Sequence, residues 1–350
     1  MKQMIMKDSF PFSAIKILLM VCFFSTLILS CNNSRNPDLR HIVSDEICII
    51  QTETSNMGFP LSMDIVSDTS FIVSDGINVF MYNINGGFIR KIGSSGNANN
   101  EYNRPTAVRA YGDSIYVWSS MSLSFMSFNL DGTPGAVYPY KSAICDFVPM
   151  DSHIIIYTAG VRGGNVLDIL SKDGSDLIGV HEASEVHKIL CSNSSTVPLL
   201  HRENKLFFSP KDSIVVYSFD LTTKKTERVG LIESSSFKVD PLPMESKQMD
   251  RKSRSDYLKR SSMAILLFPM GEHFCLMTLE GETRQTENGV SNEDRYFAVY
   301  PFGYREKVTY YDLDSFSYWH LFSYKNGSLF FVDHSLSDND ENYYLKRIAF

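Results

Sequence analysis

The sequence predicts an all-β fold, a six-bladed β-propeller with one helical insertion between blades four and five. Three observations predict it. Short runs rich in Ile, Val, Phe, Tyr and Ser alternate with turn residues, as half-buried strands do. A unit of one grammar recurs six times at spacings of roughly 40–65 residues, the size of a four-stranded blade. The last unit is short of a strand that residues near the start of the body can supply.

Each unit reads as a polar turn, a strand, a second strand ending in a small polar residue, a tight turn, and a third strand. The first is Phe71–Asp75, Val79–Asn83, Gly86-Gly87 and Phe88–Gly93. The second is Ile115–Trp118, Phe125–Asn129, Asp131-Gly132 and Ala136–Tyr138. The third is Ile154–Tyr157, Val166–Leu170, Asp173-Gly174 and Leu177–Val180. The fourth is Leu206–Phe208, Ile214–Asp220, a Thr-Lys turn and Thr226–Val229. The fifth is looser, with Phe274–Met277, Tyr296–Tyr300, Val308–Asp312 and Ser317–Phe322; the sixth is Leu329–Val332 and Tyr343–Ile348. Asp-Gly and Gly-Gly supply the positive φ that a tight hairpin needs. Arg40–Val43 and Ile47–Ile50 are apolar enough to add the missing outer strand and shut the ring, which protects the sheet edges. A two-sheet sandwich has similar short strands but does not repeat one grammar six times.

Residues 244–267 break the pattern and read as a helix. Met244, Met249, Tyr257, Met263 and Leu266 recur among Lys247, Arg251, Lys252, Arg254, Lys259 and Arg260. Glu245, Asp250 and Asp256 interleave with those cations, so a solvated face is expected rather than an anion-binding one.

Ahead of the body, Lys2, Lys7 and Lys16 precede an apolar run from Ile17 to Leu29. That run suits a signal peptide and is shorter than the roughly 17–25 residues of a membrane span. The segment Leu27-Ile28-Leu29-Ser30-Cys31 then resembles the lipobox of bacterial lipoproteins. The resemblance implies cleavage before Cys31 and a diacylglycerol on its sulfur. The expected organisation is a signal peptide over 1–30, a polar lipidated tether over 31–39, and the propeller over 40–350. Membrane attachment through the lipid, on the bacterial cell envelope, follows from it. Asn32-Asn33-Ser34-Arg35 lacks the acidic residues that surface-exported lipoproteins carry, which favours the periplasmic side of the outer membrane.

Lys plus Arg is 33 against 40 Asp plus Glu, a net charge of −7. An acidic body argues against nucleic acid, which needs a basic footprint. With Cys22 in the signal and Cys31 lipidated, Cys48, Cys145, Cys191 and Cys275 remain, widely spaced and without zinc spacing. They read as free or buried thiols rather than disulfide partners. No Gly-x-Ser-x-Gly elbow, His-Glu-x-x-His, phosphate loop or EF-hand pattern occurs. His181 and His187 flank Glu182 and Glu185, but read as a turn between strands. Asp333, Asp338, Asp340 and Glu341 are dense enough for Ca²⁺ yet lack its ligand spacing, and read as a solvated loop. No metal and no cofactor is expected.

One loop carries a motif. Ile92-Gly93-Ser94-Ser95-Gly96-Asn97-Ala98-Asn99-Asn100-Glu101-Tyr102-Asn103-Arg104-Pro105 resembles the pattern (I/V)G-x-x-G-x-G-x-x-E-(F/Y)-x-x-P of TolB-like and NHL-like six-bladed propeller lipoproteins. It departs from that pattern at Ala98, Asn99 and Asn100. The resemblance implies a binding or scaffolding role and no particular reaction. Gly93 and Gly96 allow a sharp path from an outer strand to the next inner strand, which Pro105 begins. Phe59-Pro60 enters the first blade in the same way. Glu101, Tyr102, Arg104 and Phe59 are therefore the candidate binding residues. An aromatic ring, a planar cation and a carboxylate within four residues suit an interface. The competing expectation is that Glu101 and Arg104 hold the turn while Tyr102 packs between blades. Two functions stay open: a non-enzymatic binding module for a protein, peptide or glycan, and a lactonase-like propeller hydrolase or lyase with carboxylates at the channel mouth.

Overall fold

The computed structural model of the chain describes residues 39–40, 45–51, 55–98, 100–160, 163–191, 196–242, 249–271, 273–281, 284–286, 289–291, 295–302, 308–312, 322–337 and 340–349. The segment expected to be a signal peptide, Cys31 and most of the expected tether lie outside these residues. The body from Arg40 to Phe350 is one unit.

After a two-residue strand β1 (Leu39–Arg40) and β2 (Asp45–Ile49), the chain builds sheets of antiparallel strands in sequence order. Blade one is β3 (Ser62–Ser67), β4 (Ser70–Ser74), β5 (Val79–Asn83) and β6 (Phe88–Lys91). Blade two is β7 (Pro105–Tyr111), β8 (Ser114–Ser119), β9 (Ser124–Asn129) and β10 (Pro134–Pro139). Blade three is β11 (Ile144–Pro149), β12 (His153–Thr158), β13 (Asn165–Ser171) and β14 (Leu177–Glu182), followed by helix α1 (Glu185–Leu190). Blade four is β15 (Leu199–Arg202), β16 (Lys205–Phe208), β17 (Val215–Asp220) and β18 (Thr226–Leu231), followed by helix α2 (Arg251–Arg260). Blade five orders β19 (Met263–Met270), β20 (His273–Gly281), β23 (Arg295–Phe302) and β24 (Thr309–Asp312), with the hairpin β21 (Arg284–Thr286) and β22 (Gly289–Ser291) inserted. Blade six is β25 (Phe322–Lys325), β26 (Ser328–Ser337) and β27 (Asp340–Ala349), completed by β2 on its outer edge. The predicted six-bladed propeller is the observed fold.

Ring closure follows the sequence expectation in part. Asp45 to Ile49 pair antiparallel with Arg347 to Tyr343. Arg40 belongs to the separate strand β1, and residues 41–43 lie outside the described set.

The apolar cores lie between blades, because a blade buries both faces of its central strands. Between blades one and two, Ile72, Val79 and Met81 meet Val108, Val117 and Phe128. At the closure joint, Phe71, Phe80 and Tyr82 meet Val332 and Leu345, with Ile49 of β2 in the same cluster. Burying such a side chain contributes about 1.5–3 kcal/mol, so each interface holds the ring as a wedge. Outer strands are exposed, and their hairpins are fixed by polar side chains. Asp131 Oδ1 accepts from the Thr133 amide at 2.9 Å, and Asp220 Oδ1 from those of Thr222 and Thr223 at 2.9 and 2.8 Å.

Three expectations about elements need correction. The helix expected over 244–267 ends at Arg260, and Met263 and Leu266 belong to strand β19. Residues 243–248, which include Met244, lie outside the described set. Asp250 caps the helix start, its Oδ1 accepting from the Ser253 amide at 2.7 Å. Arg295 closes its end, donating to the carbonyls of Lys259 and Ser261 at 2.7 Å each. The Met263–Met270 run that follows is apolar on both faces, which suits a buried strand. Second, Phe322 starts blade six rather than ending blade five. Third, the stretch holding His187 is not a plain turn. It forms α1, capped by Ser184 Oγ accepting from the His187 amide at 2.9 Å. Six residues are too few for a periodic signal to emerge.

Candidate functional site

One strand of each blade faces a shared central space. Asp64 of β3, Arg109 of β7, Asp146 of β11, His201 of β15, Leu267 of β19 and Ser323 of β25 all line one cavity of about 330 Å³. This is the propeller channel.

Its charged groups are engaged with one another and with the inner strands. The Arg109 guanidinium pairs with Asp146. Its other nitrogen donates to the Met63 and Val108 carbonyls at 3.0 and 2.6 Å and to Ser62 Oγ at 3.2 Å. Asp146 Oδ1 accepts from the Phe147 amide at 2.7 Å. Asp64 Oδ1 accepts from Ser323 Oγ at 2.6 Å, and its Oδ2 from the Ala110 amide at 2.8 Å. Burial alone would lower the Arg109 pKa; the Asp146 and Asp64 carboxylates outweigh it and the net shift is upward. Burial raises the Asp146 carboxyl, with Arg109 pulling the other way. A guanidinium stays charged in proteins, so Arg109 keeps a full positive charge against Asp146. Each carboxylate oxygen of Asp64 and Asp146 thus has a donor within the protein. The set braces the inner strands of blades one, two, three and six.

Among the described residues no group of three or more His, Cys, Asp and Glu is placed to hold a metal. His181 lies on β14, while His187 is buried in α1. The His187 ring donates from Nε2 to the Thr158 carbonyl at 2.9 Å, and its Nδ1 accepts from the Lys211 amide at 3.1 Å. Those two bonds fix the neutral tautomer. Asp338 lies outside the described residues, as do the side chains of Asp333, Asp340 and Glu341.

Antiparallel order puts two kinds of connection at each end of the ring. Turns between second and third strands, and crossovers from an outer strand to the next inner strand, share one face. The first and third turns of each blade share the other. Phe59, Glu101, Tyr102 and Arg104 all belong to crossovers and so to the first face.

Their side chains divide into two groups. Tyr102 is wholly buried between blades one and two. Its ring meets Phe128 edge-on at 5.9 Å, and its hydroxyl accepts from the Val79 amide at 3.1 Å. Burial pushes its pKa up to about 12. Glu101 turns back into its own loop, Oε2 accepting from the Ala98 amide at 3.0 Å. Gly93, at φ +64°, has the Phe128 ring 2.5 Å from where a Cβ would stand, so a side chain there collides. Tyr102 and Glu101 therefore hold the loop rather than presenting a surface. Arg104 and Phe59 face outward, Phe59 at 48 % exposure.

Sequence reasoning missed the neighbours that join them. Ile77 at 63 %, Met121 at 64 % and Leu123 at 37 % exposure sit in the second turns of blades one and two. Asp75 ties two of these tips together. Its Oδ2 accepts from the Gly58 amide at 3.0 Å, and its Oδ1 from those of Ile77 and Asn78 at 2.8 and 2.7 Å. On blade two, the Ser120 amide donates to the Arg104 carbonyl at 3.1 Å and the Met121 amide to the Asn103 carbonyl at 3.2 Å. Ser74 Oγ reaches the Pro105 carbonyl at 2.5 Å and joins the two halves. Arg104 holds φ +57°, a conformation that non-glycine residues rarely adopt and that persists where the surroundings enforce it. The signal available in sequence was an apolar residue inside each polar turn.

Solved structures with this architecture include a protein described as exported, from Bacteroides fragilis NCTC 9343. It is 10 % identical, with 88 % of this chain and 96 % of that chain covered at a TM-score of 0.62. A member of the DUF4221 family from Bacteroides vulgatus ATCC 8482 is also 10 % identical, with 88 % and 97 % covered at 0.63. At such identity the likeness carries the fold alone. No curated protein matches the chain. A model of the DUF5128 family, described as a 6-bladed β-propeller, matches residues 26–272. With blades, channel and closure in place, the chain belongs to the DUF5128 family of six-bladed β-propellers.

Proposed function

We propose that the chain is a non-enzymatic binding module of the bacterial envelope, lipid-anchored through Cys31, of the TolB-like and NHL-like kind that its 93–105 loop resembles. It engages a protein or peptide partner through the crossover face of blades one and two. The observation that carries this reading is the pinned set of outward residues Phe59, Ile77, Arg104 and Met121. Apolar tips held by backbone hydrogen bonds lose little entropy on binding, and aromatic and Arg side chains are enriched where interfaces carry their energy. The Arg104 guanidinium suits a carboxylate on the partner. The channel favours binding over hydrolysis, because its carboxylates already accept protein hydrogen bonds. The exported description of the Bacteroides fragilis neighbour agrees with an envelope location.

The test is capture from native membranes by the wild type and by the double variant Phe59→Ala with Arg104→Ala. The expected result is a tenfold or greater loss of the partner, about 1.4 kcal/mol, at an unchanged melting temperature. Full capture by the folded variant would remove this face from the site.

A further inference from the structure

Two cysteines that stand 46 residues apart in sequence meet in the core between blades three and four. Cys145 belongs to β11, the inner strand of blade three, and Cys191 caps the end of α1, beyond the outer strand of that blade. Both are buried, at 8 % and 4 % exposure, in one cluster with Tyr157, Val180, Leu199 and Phe208. Both carry free thiols in the structure.

The backbone turns Cys145 toward its partner. In the β11–β12 pair, Ile144 faces Thr158 and Asp146 faces Tyr157, so Cys145 is an extra residue in the ladder. Bulges of this kind re-aim side chains. Here two neighbours diverge, Asp146 into the channel and Cys145 into the core. The Cys145 thiol donates to the Cys191 carbonyl at 3.5 Å and is a hydrogen-bond neighbour of the Cys191 thiol. On its other side the Cys191 sulfur lies 3.4 Å from His187 Nε2, whose proton goes to the Thr158 carbonyl. A thiol is a weak donor and a weak acceptor, so the pair gains little by meeting as thiols. The other two described cysteines are elsewhere, Cys48 on β2 and Cys275 in the core of blades five and six.

We propose that Cys145 and Cys191 are joined by a structural disulfide, made by exchange with a disulfide donor as the chain folds. One cysteine thiolate attacks the donor, breaking its S–S bond and releasing one donor thiol. The second cysteine attacks the mixed disulfide and releases the other, so the donor takes up two electrons and both protons. The two sulfurs then stand about 2.05 Å apart. Burial pushes the Cys191 thiol well up and suppresses its thiolate. The exchange therefore belongs to folding, before β11 and α1 close on each other. The bond encloses the four strands of blade three together with α1. A cross-link over that length restricts the unfolded chain. In cells the donor belongs to an oxidising compartment, so the presence of the bond there rests on the envelope reading.

The full-length chain is unfolded with reductant, refolded in reduced and oxidised glutathione, alkylated with iodoacetamide and digested with trypsin without reductant. Residues 142–162 and 189–202 are tryptic peptides with one cysteine each. They are expected as one linked species that reductant separates, and Cys145→Ser should give 189–202 alkylated and unlinked. The bonded wild type should melt above its reduced form, while Cys145→Ser melts alike with and without reductant. Protein taken from native membranes and alkylated as it unfolds reads the same two peptides without a refolding step. Alkylated thiols on both peptides in both preparations, or either peptide linked to another cysteine instead, would overturn the proposal. A pair bonded in glutathione and free in membranes supports the disulfide and sinks the envelope reading, which keeps the two failures apart.

Discussion

Ile47 lies directly opposite Leu345 in the antiparallel pair of β2 and β27, so the last blade takes its outer strand from the segment that precedes the first. Ile49 of the same strand is buried with Phe71, Phe80 and Val332 and carries the seam into the core between blades six and one. Removing Asp45–Ile49 should open the seam, expose the edge of β27 and cause aggregation. Removing residues 32–36, part of the expected tether, should leave melting unchanged. Light scattering and thermal melts of the two deletions check this, and equal stability of both would refute closure by β2.

Tyr102 joins blades one and two, so it should behave as a core residue. Tyr102→Phe leaves the buried Val79 amide without its acceptor, at a cost of about 1–3 kcal/mol. Tyr102→Ala also empties the space against Phe128 and should cost about 3–5 kcal/mol. Urea unfolding gives both values. A neutral Tyr102→Ala would show that the loop is held by its other contacts.

The Arg109–Asp146 pair predicts a pH-dependent defect. Arg109→Ala leaves Asp146 buried without its cation, a loss of about 3–5 kcal/mol near neutral pH. The stranded carboxyl then has a folded pKa above its unfolded value of about 3.9. The penalty is present above the folded pKa and shrinks as protonation proceeds below it, so the deficit should narrow toward pH of about 4. Replacing both, Arg109→Met with Asp146→Leu, should recover most of the stability. A deficit that stays constant with pH would show that lost packing, not charge, is its source.

His187 gives the opposite lever. Burial lowers its pKa below 6.5, and its neutral ring bonds Thr158 and Lys211. The unfolded chain takes up a proton at this site as pH falls through about 6.5 while the folded chain resists. Stability is full above that value and declines below it until the folded pKa is reached. His187→Gln should flatten the decline by about 1 kcal/mol per pH unit. Urea midpoints measured on either side of pH about 6.5 decide it; parallel slopes for both proteins would clear His187.

Lipidation is tested on the intact cell. A palmitate analogue should label the wild type, and Cys31→Ala should abolish the label. Label retained by the variant would end the lipoprotein reading.

The blades were legible because a propeller repeats a local pattern. The short apolar run Phe71–Val73 between polar residues, Gly at hairpin turns and Pro105 at the start of an inner strand are all properties of neighbours in sequence. Closure was legible for the same reason, since the sixth unit lacked a strand and Ile47–Ile50 was a strand to spare. The α2–β19 boundary was not. The residues from Met263 onward carry both a helical spacing and an apolar run, and the Arg295 cap that ends the helix comes from another strand.

The sequence by itself determined the number of blades, the turn chemistry and the crossover that carries residues 93–105. Tertiary structure decided what those residues are for. Glu101, Tyr102 and Arg104 are near neighbours in sequence, yet one caps its loop, one is sealed between blades and one faces water. The outcome depends on Phe128 and Val79, which come from other strands, and on which side of the chain they approach. The contact of the Phe207, Phe274 and Phe302 rings was equally invisible, because it is assembled from strands of two blades. A residue's strand is set by its neighbours along the chain, whereas its exposure is set by whatever the ring brings against it.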